Sequence, residues 1–233
     1  KTDDFKAFVL ELAEHITKHA PQSVSADEEG AKAPYLLDQA FKDQQTVAEY
    51  VNQMVAKTGE KVSVRRFAHF QTDENGFVQD YNHMNGKIGV LIELALNRSD
   101  LKTSEELLTL AKDLAMQVAA AKPEYLRRQD VPAAVIEAEK KIYVAQAMNE
   151  GKPQAIAEKI TMGRINKLYK EICLEEQIFI KDNQQTVAAL LAEIGKKIGA
   201  EIKIVRFARF EKGEGIEKRA DDFAAEVMSQ IKA

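Results

Sequence analysis

Cysteine is almost missing from this 233-residue chain. Cys173 stands alone, so no internal disulfide can form and a reducing compartment is expected. No long apolar run is present, which excludes a membrane-spanning helix. The sequence carries no secretory signal peptide, and a cytoplasmic location is expected. It also lacks an initiator methionine, so it reads as a piece of a longer chain. Signatures of chemistry are equally scarce. There is no nucleophile–base pair, no metal motif and no glycine-rich phosphate loop, and so no catalytic residue, metal or cofactor is expected. Nor does one sign of charge dominate. Lys and Arg number 33 against 37 Asp and Glu, a net charge of −4 that argues against direct nucleic-acid binding by the surface as a whole.

What the chain does contain, it contains twice. Gln44-Gln45-Thr46-Val47-Ala48 opens a segment ending in Arg66-Phe67-Ala68-His69-Phe70. Gln184-Gln185-Thr186-Val187-Ala188 opens another ending in Arg206-Phe207-Ala208-Arg209-Phe210. The two align without a gap at an offset of 140, with eleven identities in 27 positions. Two copies indicate a duplication rather than a solenoid. Each copy reads as a helix followed by a strand. Val187, Leu190, Leu191, Ile194 and Ile198 recur at helical spacing, as do Val47, Val51 and Met54. Thr46 and Glu49 have capping-box spacing, and Gly59 and Gly199 sit where a left-handed cap would end each helix. The period then changes to two, placing Val62, Val64, Ala68 and Phe70 on one side, matched by Ile202, Ile204, Ala208 and Phe210.

Around these copies the chain falls into order. Residues 5–20 carry an amphipathic stripe of Phe5, Phe8, Val9, Leu12 and Ile16, followed by a polar loop over 22–32. A β-hairpin is expected from strands 77–83 and 87–94, turning at Asn85-Gly86, with Ile88, Val90, Ile92 and Leu94 on one side. Residues 103–121 form a helix with a Thr103/Glu106 capping box and a face of Leu107, Leu110, Leu114 and Val118. Leu12-Ala13 and Pro21 match Leu114-Ala115 and Pro123 at an offset of 102, so the second repeat carries a 38-residue insertion. That insertion reads as an αα-hairpin. Pro132 starts one helix, with Val135, Ala138, Ile142, Ala145 and Asn149 along its face. Gly151-Lys152-Pro153 stops and restarts the chain, and Ile156, Ile160, Ile165, Leu168 and Ile172 line the return. By symmetry, a hairpin belonging to the first repeat is expected upstream of Lys1.

The fold class that follows is α+β. Two duplicated subdomains each combine a helix with a three-stranded antiparallel sheet, joined by an inserted antiparallel coiled-coil arm and a C-terminal helix. The boundaries are 1–76 for the first subdomain, 77–131 and 178–212 for the second, 132–177 for the arm and 213–233 for the C-terminal module.

The chain resembles the bacterial elongation factor Ts family, the nucleotide exchange factors of elongation factor Tu. The residues that carry the resemblance span Tyr81-Asn82-His83-Met84-Asn85-Gly86-Lys87-Ile88-Gly89-Val90-Leu91 and Ala119-Ala120-Ala121-Lys122-Pro123-Glu124-Tyr125. To these add Gly151-Lys152-Pro153 with Ile156-Ala157-Glu158-Lys159, Gly213-Glu214-Gly215-Ile216-Glu217-Lys218, and Phe223-Ala224-Ala225-Glu226-Val227. The resemblance implies binding to the GDP-bound and nucleotide-free forms of elongation factor Tu, with GDP released by disturbing the phosphate and magnesium site. It further implies partner contacts at His83, Asn85 and Gly86 of the hairpin tip, at Thr58-Gly59, along the arm, and at the C-terminal helix around Asp222 and Phe223. The family's N-terminal module and its Thr-Asp-Phe-Val wedge find no match. Asp4-Phe5 reads as a helix start and takes no wedge role.

On the residues alone, His83 is an ordinary turn histidine. Glu11, His15 and His19 fall at i, i+4 and i+8, where a helix face could hold a metal, although a solvated face is the simpler reading. Arg65, Arg66, Arg206 and Arg209 with their phenylalanines have the superficial look of an RNA-stacking strand, but division between core and solvent is the simpler reading given the net charge. Cys173 is expected as a buried small side chain. The arm's apolar stripe serves homodimerisation or partner binding alike, so a module that binds through the arm without driving exchange is the alternative function.

Overall fold

Thr46 and Thr186 show how the repeated stretch starts its helices. Thr46 Oγ1 accepts from the Glu49 amide at 3.2 Å, and Glu49 returns the bond to the Thr46 amide at 2.7 Å, closing a capping box. Thr186 Oγ1 likewise accepts from the Ala189 amide at 3.2 Å. Gly59 and Gly199, at φ 69° and 70°, terminate the two helices in the left-handed conformation that glycine adopts without a Cβ clash. The computed structural model describes residues 3–215, and the chain divides into two compact units, Lys1–Gln71 and Thr72–Ala233.

The first unit contains α1 (Asp3–His19) and α2 (Val47–Thr58). Phe8, Leu12 and Ile16 of α1 pack with Val47, Val51 and Met54 of α2 and with the fully buried Leu36. Val9, placed on that stripe by spacing, is exposed instead. Phe8, Phe41 and Tyr50 form an edge-rich aromatic cluster with centroids 5.2–6.2 Å apart. The strand expected over 62–70 is not there. Val62, Val64 and Phe67 pack against the unit's core, yet the segment pairs with no strand among the described residues. A strand exists only as part of a ladder, and β propensity alone does not make one. The first unit therefore shows no three-stranded sheet among the described residues.

The second unit is built on a three-stranded antiparallel sheet of β1 (Gly76–His83), β2 (Ile88–Leu96) and β5 (Ile202–Glu211), in the order β1-β2-β5. Over it lie α3 (Glu105–Ala121) and α6 (Val187–Ile198). Val90, Ile92, Leu94 and Leu96 meet Leu107, Leu110, Leu114 and Val118 in the core, as their periodicities require. The cap of α3 is Ser104, whose hydroxyl accepts from the Leu107 amide, rather than Thr103 one residue earlier. A β-bulge at Val205 breaks the expected alternation in β5: Glu93 faces Arg206, while the next residue, Leu94, faces Ile204. Beyond the bulge the faces exchange. Phe207, not Ala208, joins the core, and Arg209 turns inward to donate to the Ala119 carbonyl at the end of α3. Mixed helix with antiparallel sheet makes the fold α+β.

The insertion is an antiparallel helical pair, α4 (Ala133–Asn149) and α5 (Gln154–Ile172). Its inner faces match those expected at the base, where Val135, Ile165, Leu168 and Ile172 pack together, and differ toward the turn. Ile136 and Ala147 of α4 meet Ala157, Thr161 and Ile165 of α5, while Ile142 and Ile156 face solvent. Small side chains near the turn let the helices approach closely, and larger ones fill the base, where Ile136, Ile165, Val131 and the fully buried Cys173 cluster. Burial pushes the Cys173 thiol up to about 11. Below the arm a short ribbon of β3 (Ile178–Phe179) and β4 (Asp182–Thr186) leads into α6.

Two buried glutamines tie these parts together. Gln117, in the middle of α3 and fully buried, donates through Nε2 to Gln177 Oε1 (3.1 Å) and to the Ile178 carbonyl (3.2 Å), and accepts from the Ile180 amide (2.8 Å). Gln177 in turn donates to the carbonyls of Glu171 (2.7 Å) and Ala121 (3.3 Å). Gln117→Leu fills the volume but leaves several buried polar groups without partners. Urea unfolding is expected to show a loss of about 2–4 kcal/mol with an unchanged m-value.

His15 supplies a pH dependence in the first unit. It is only 8% exposed, its Nε2 lies 2.8 Å from Gln39 Oε1, it stacks on His19 at 4.3 Å and it meets the edge of Phe41. Burial, offset in part by the Gln39 bond, holds its pKa below the ordinary 6.5, with the charges of His19 and Lys18 acting in the same direction as burial. The unfolded chain therefore takes up this proton more readily than the folded one. Its contribution to stability is complete above pH 6.5 and is lost as pH falls through the histidine range. Thermal melts at pH 7.5 and 5.5 are expected to show a drop in Tm that shrinks in His15→Leu.

Candidate partner-binding site

Three positions suggested by the resemblance lie together at the turn between β1 and β2. His83 and Ile88 form the last pair of the ladder, so the loop is Met84-Asn85-Gly86-Lys87, one residue longer than the 84–86 expected. Met84, Asn85 and Gly86 all lie at positive φ, 50°, 56° and 79°. The Lys87 amide closes the turn by donating to the His83 carbonyl at 3.1 Å. Residues 82–87 are all exposed. Asn85 and Gly86 suit a left-handed turn; Met84 does not, because its Cβ crowds the backbone there. A thioether side chain held 57% exposed in a strained conformation is a feature that spacing alone did not bring out.

His83 is positioned from within the strand. Alternation along β1 sets Phe77, Tyr81 and His83 on one side; Phe77 and Tyr81 pack on the core beneath the helices, and His83 lies beyond it. The Tyr81 hydroxyl lies 3.0 Å from His83 Nδ1, with ring centroids 5.8 Å apart.

Thr58 and Gly59 belong to the first unit and form the C-terminal cap of α2. The Thr58 hydroxyl donates to the Met54 carbonyl at 2.8 Å, and the Gly59 amide donates to Val55 O at 2.9 Å. A Cβ built on Gly59 would meet nothing within 4 Å, so the glycine answers to the backbone angle rather than to crowding. Asp222 and Phe223, with the C-terminal helix, lie outside the described residues.

The other residues singled out from sequence are engaged elsewhere. Glu11 binds Lys42 at 2.5 Å and His15 is buried rather than part of a solvated face, so Glu11, His15 and His19 do not form a ligand set. Arg206 pairs with Glu93 at 2.5 Å, and Arg209 binds Glu211 at 2.8 Å as well as the Ala119 carbonyl. These two arginines serve the sheet. Among the described residues, no helix is long and apolar enough to cross a membrane.

Known proteins match this chain along nearly its whole length. The family described as Elongation factor TS matches residues 1–214. The chain belongs to the elongation factor Ts family. Elongation factor Ts of Clostridium botulinum strain Loch Maree is 44% identical over 223 residues, covering 95% of this chain and 70% of that protein. The Symbiobacterium thermophilum protein of the same name is 48% identical over 187 residues, 80% of this chain and 62% of its own. That of Trichlorobacter lovleyi is 43% identical over 229 residues, 98% of this chain and 71% of its own. Family membership places the chain among the translation elongation factors.

Met84→Asn tests the strain at the tip. Asparagine tolerates the left-handed region, and the exposed thioether contributes little packing. The variant is expected to be more stable by about 0.5–1 kcal/mol in urea unfolding.

Proposed function

We propose that this chain is a guanine nucleotide exchange factor in translation elongation, binding elongation factor Tu in its GDP-bound and nucleotide-free forms. Membership of the elongation factor Ts family along nearly all of its length is the observation that carries this reading. The mechanism is linkage. A protein that binds the nucleotide-free partner more tightly than the GDP-bound one must weaken GDP binding by the same factor. No bond is made or broken in the protein, so the reading assigns binding contacts and no catalytic residue, metal or cofactor. The exposed tip of His83, Met84, Asn85 and Gly86 would press on the partner's phosphate and magnesium site, with Thr58-Gly59, the arm and the region of Asp222 and Phe223 adding further contacts. This reading keeps the division into duplicated subdomains at 1–76 and at 77–131 with 178–212, a coiled-coil arm at 132–177 and a C-terminal module at 213–233, working in the cytoplasm.

One observation favours a second reading, a homodimer or a partner complex formed through the arm without exchange. Ile142, Met148, Ile156 and Met162 of the arm turn outward, Met162 at 68% exposure. Release of a fluorescent GDP from elongation factor Tu separates the two. Acceleration at micromolar concentrations of this chain is expected, with His83→Ala losing roughly tenfold while its circular dichroism is unchanged. Absence of any acceleration, together with a stable complex or a dimer in sedimentation, would establish the second reading instead.

A further inference from the structure

The hairpin tip carries its histidine on a support that reaches back into the core. The Tyr81 ring packs against the apolar cluster beneath α3, opposite Val90 in the ladder, and also contacts the His83 ring at the exposed tip, with centroids 5.8 Å apart. Two residues on and on the same side of β1, His83 presents Nδ1 at 3.0 Å from that hydroxyl. Its Nε2 carries no hydrogen bond among the described residues. The neighbouring backbone is held by the ladder pair with Ile88 and by the Lys87 amide bond to the His83 carbonyl.

We propose that Tyr81 is a positioning residue: its O–H donates to Nδ1 of His83, confines the neutral imidazole to the tautomer protonated at Nε2, and presents that N–H to an acceptor oxygen of the docked partner. The phenol is the better donor of the two groups, and the imidazole lone pair is the acceptor that matches it. The reverse arrangement, with Nδ1–H donating to the phenol oxygen, would leave the phenolic proton without a partner in the protein. An imidazole has one N–H when neutral, so fixing Nδ1 as an acceptor makes Nε2 the donor. Holding the ring in advance also saves the rotamer entropy that a free surface histidine would lose on docking. The chemistry recognised is therefore an acceptor, such as a carbonyl, carboxylate or phosphate oxygen, rather than a donor. This proposal rests on the reading that the tip meets elongation factor Tu, and its test separates the two.

Nitrogen-15 spectra of histidine-labelled protein, recorded at pH 8.5, report the tautomer directly. His83 is expected to show an unprotonated Nδ1 and a protonated Nε2, and Tyr81→Phe, which keeps the ring in the core, is expected to release it into a mixture of tautomers. A protonated Nδ1 in the parent protein, or a spectrum unchanged in Tyr81→Phe, overturns the proposal. In the GDP-release assay, Tyr81→Phe is expected to lose roughly three- to tenfold of the acceleration, the effect of one hydrogen bond. Added to His83→Ala it should cost nothing more, because both changes remove the same contact. His83→Gln, whose amide N–H₂ reaches toward the Nε2 position, should retain more activity than His83→Asn. Full acceleration by Tyr81→Phe, or losses that add in the double variant, overturn the positioning role. Full acceleration by His83→Ala overturns the docking reading beneath it, while the nitrogen spectrum still decides the bond between Tyr81 and His83.

Discussion

Burying an amide is favourable only if each of its polar atoms finds a partner, and Gln117 and Gln177 meet that condition by bonding one another and four backbone groups. The groups they satisfy belong to different elements: the ends of α3 and α5, and the ribbon that precedes α6. This pair therefore fixes where the arm leaves the core and how the chain returns to start α6. The same join is reinforced at the surface by Arg127 with Glu175 and by Arg128, which binds Glu176 and lies over the Tyr169 ring at 4.6 Å. A network of this kind has one geometry in which it is satisfied. It specifies an orientation in a way that apolar contact alone does not.

From that base, rigidity passes to the sheet and from the sheet to the tip. Arg209, turned inward by the bulge at Val205, satisfies the carbonyl of Ala119 in the last turn of α3 and pairs with Glu211, which also receives Lys122 at 2.9 Å. Helix end and sheet edge are thereby joined by charge-assisted bonds. β1 extends beyond the helices that cover it, and there the side chains change from packed phenylalanine and tyrosine to exposed histidine and methionine. The tip thus joins a root packed in the core to an exposed head whose histidine keeps one intramolecular partner, the Tyr81 hydroxyl.

On the proposed reading, exchange needs no reactive group. On that reading its work is the difference between two binding free energies, which shape, strain and a few oriented donors can supply. The single thiol is buried and raised in pKa, His15 of α1 is held in the first unit's core, and the arginines of β5 are paired within the sheet. Each of these looks functional when read as a residue type, and each is taken up by the fold.

The sequence by itself determined what depends on neighbours along the chain. The helices, the Thr46 cap, the glycine caps of both repeats, the hairpin and the 38-residue insertion follow from spacing along the chain, since a helix period or a cap involves residues three or four apart, and the family resemblance rests on short runs of residues. Tertiary structure decided what depends on distant partners. Residues 62–70 have the pattern of a strand but form none in a ladder among the described residues. Val205 has the pattern of a regular strand residue but is bulged, which exchanges Ala208 for Phe207 in the core. Along the arm, closeness of approach chose Ala147, Ala157 and Thr161 over the larger apolar residues that periodicity favoured. Gln117 gave no local signal at all, since its partners lie about sixty residues away. His83 was visible from the start as a turn residue, and only the folded strand set a tyrosine hydroxyl against its ring.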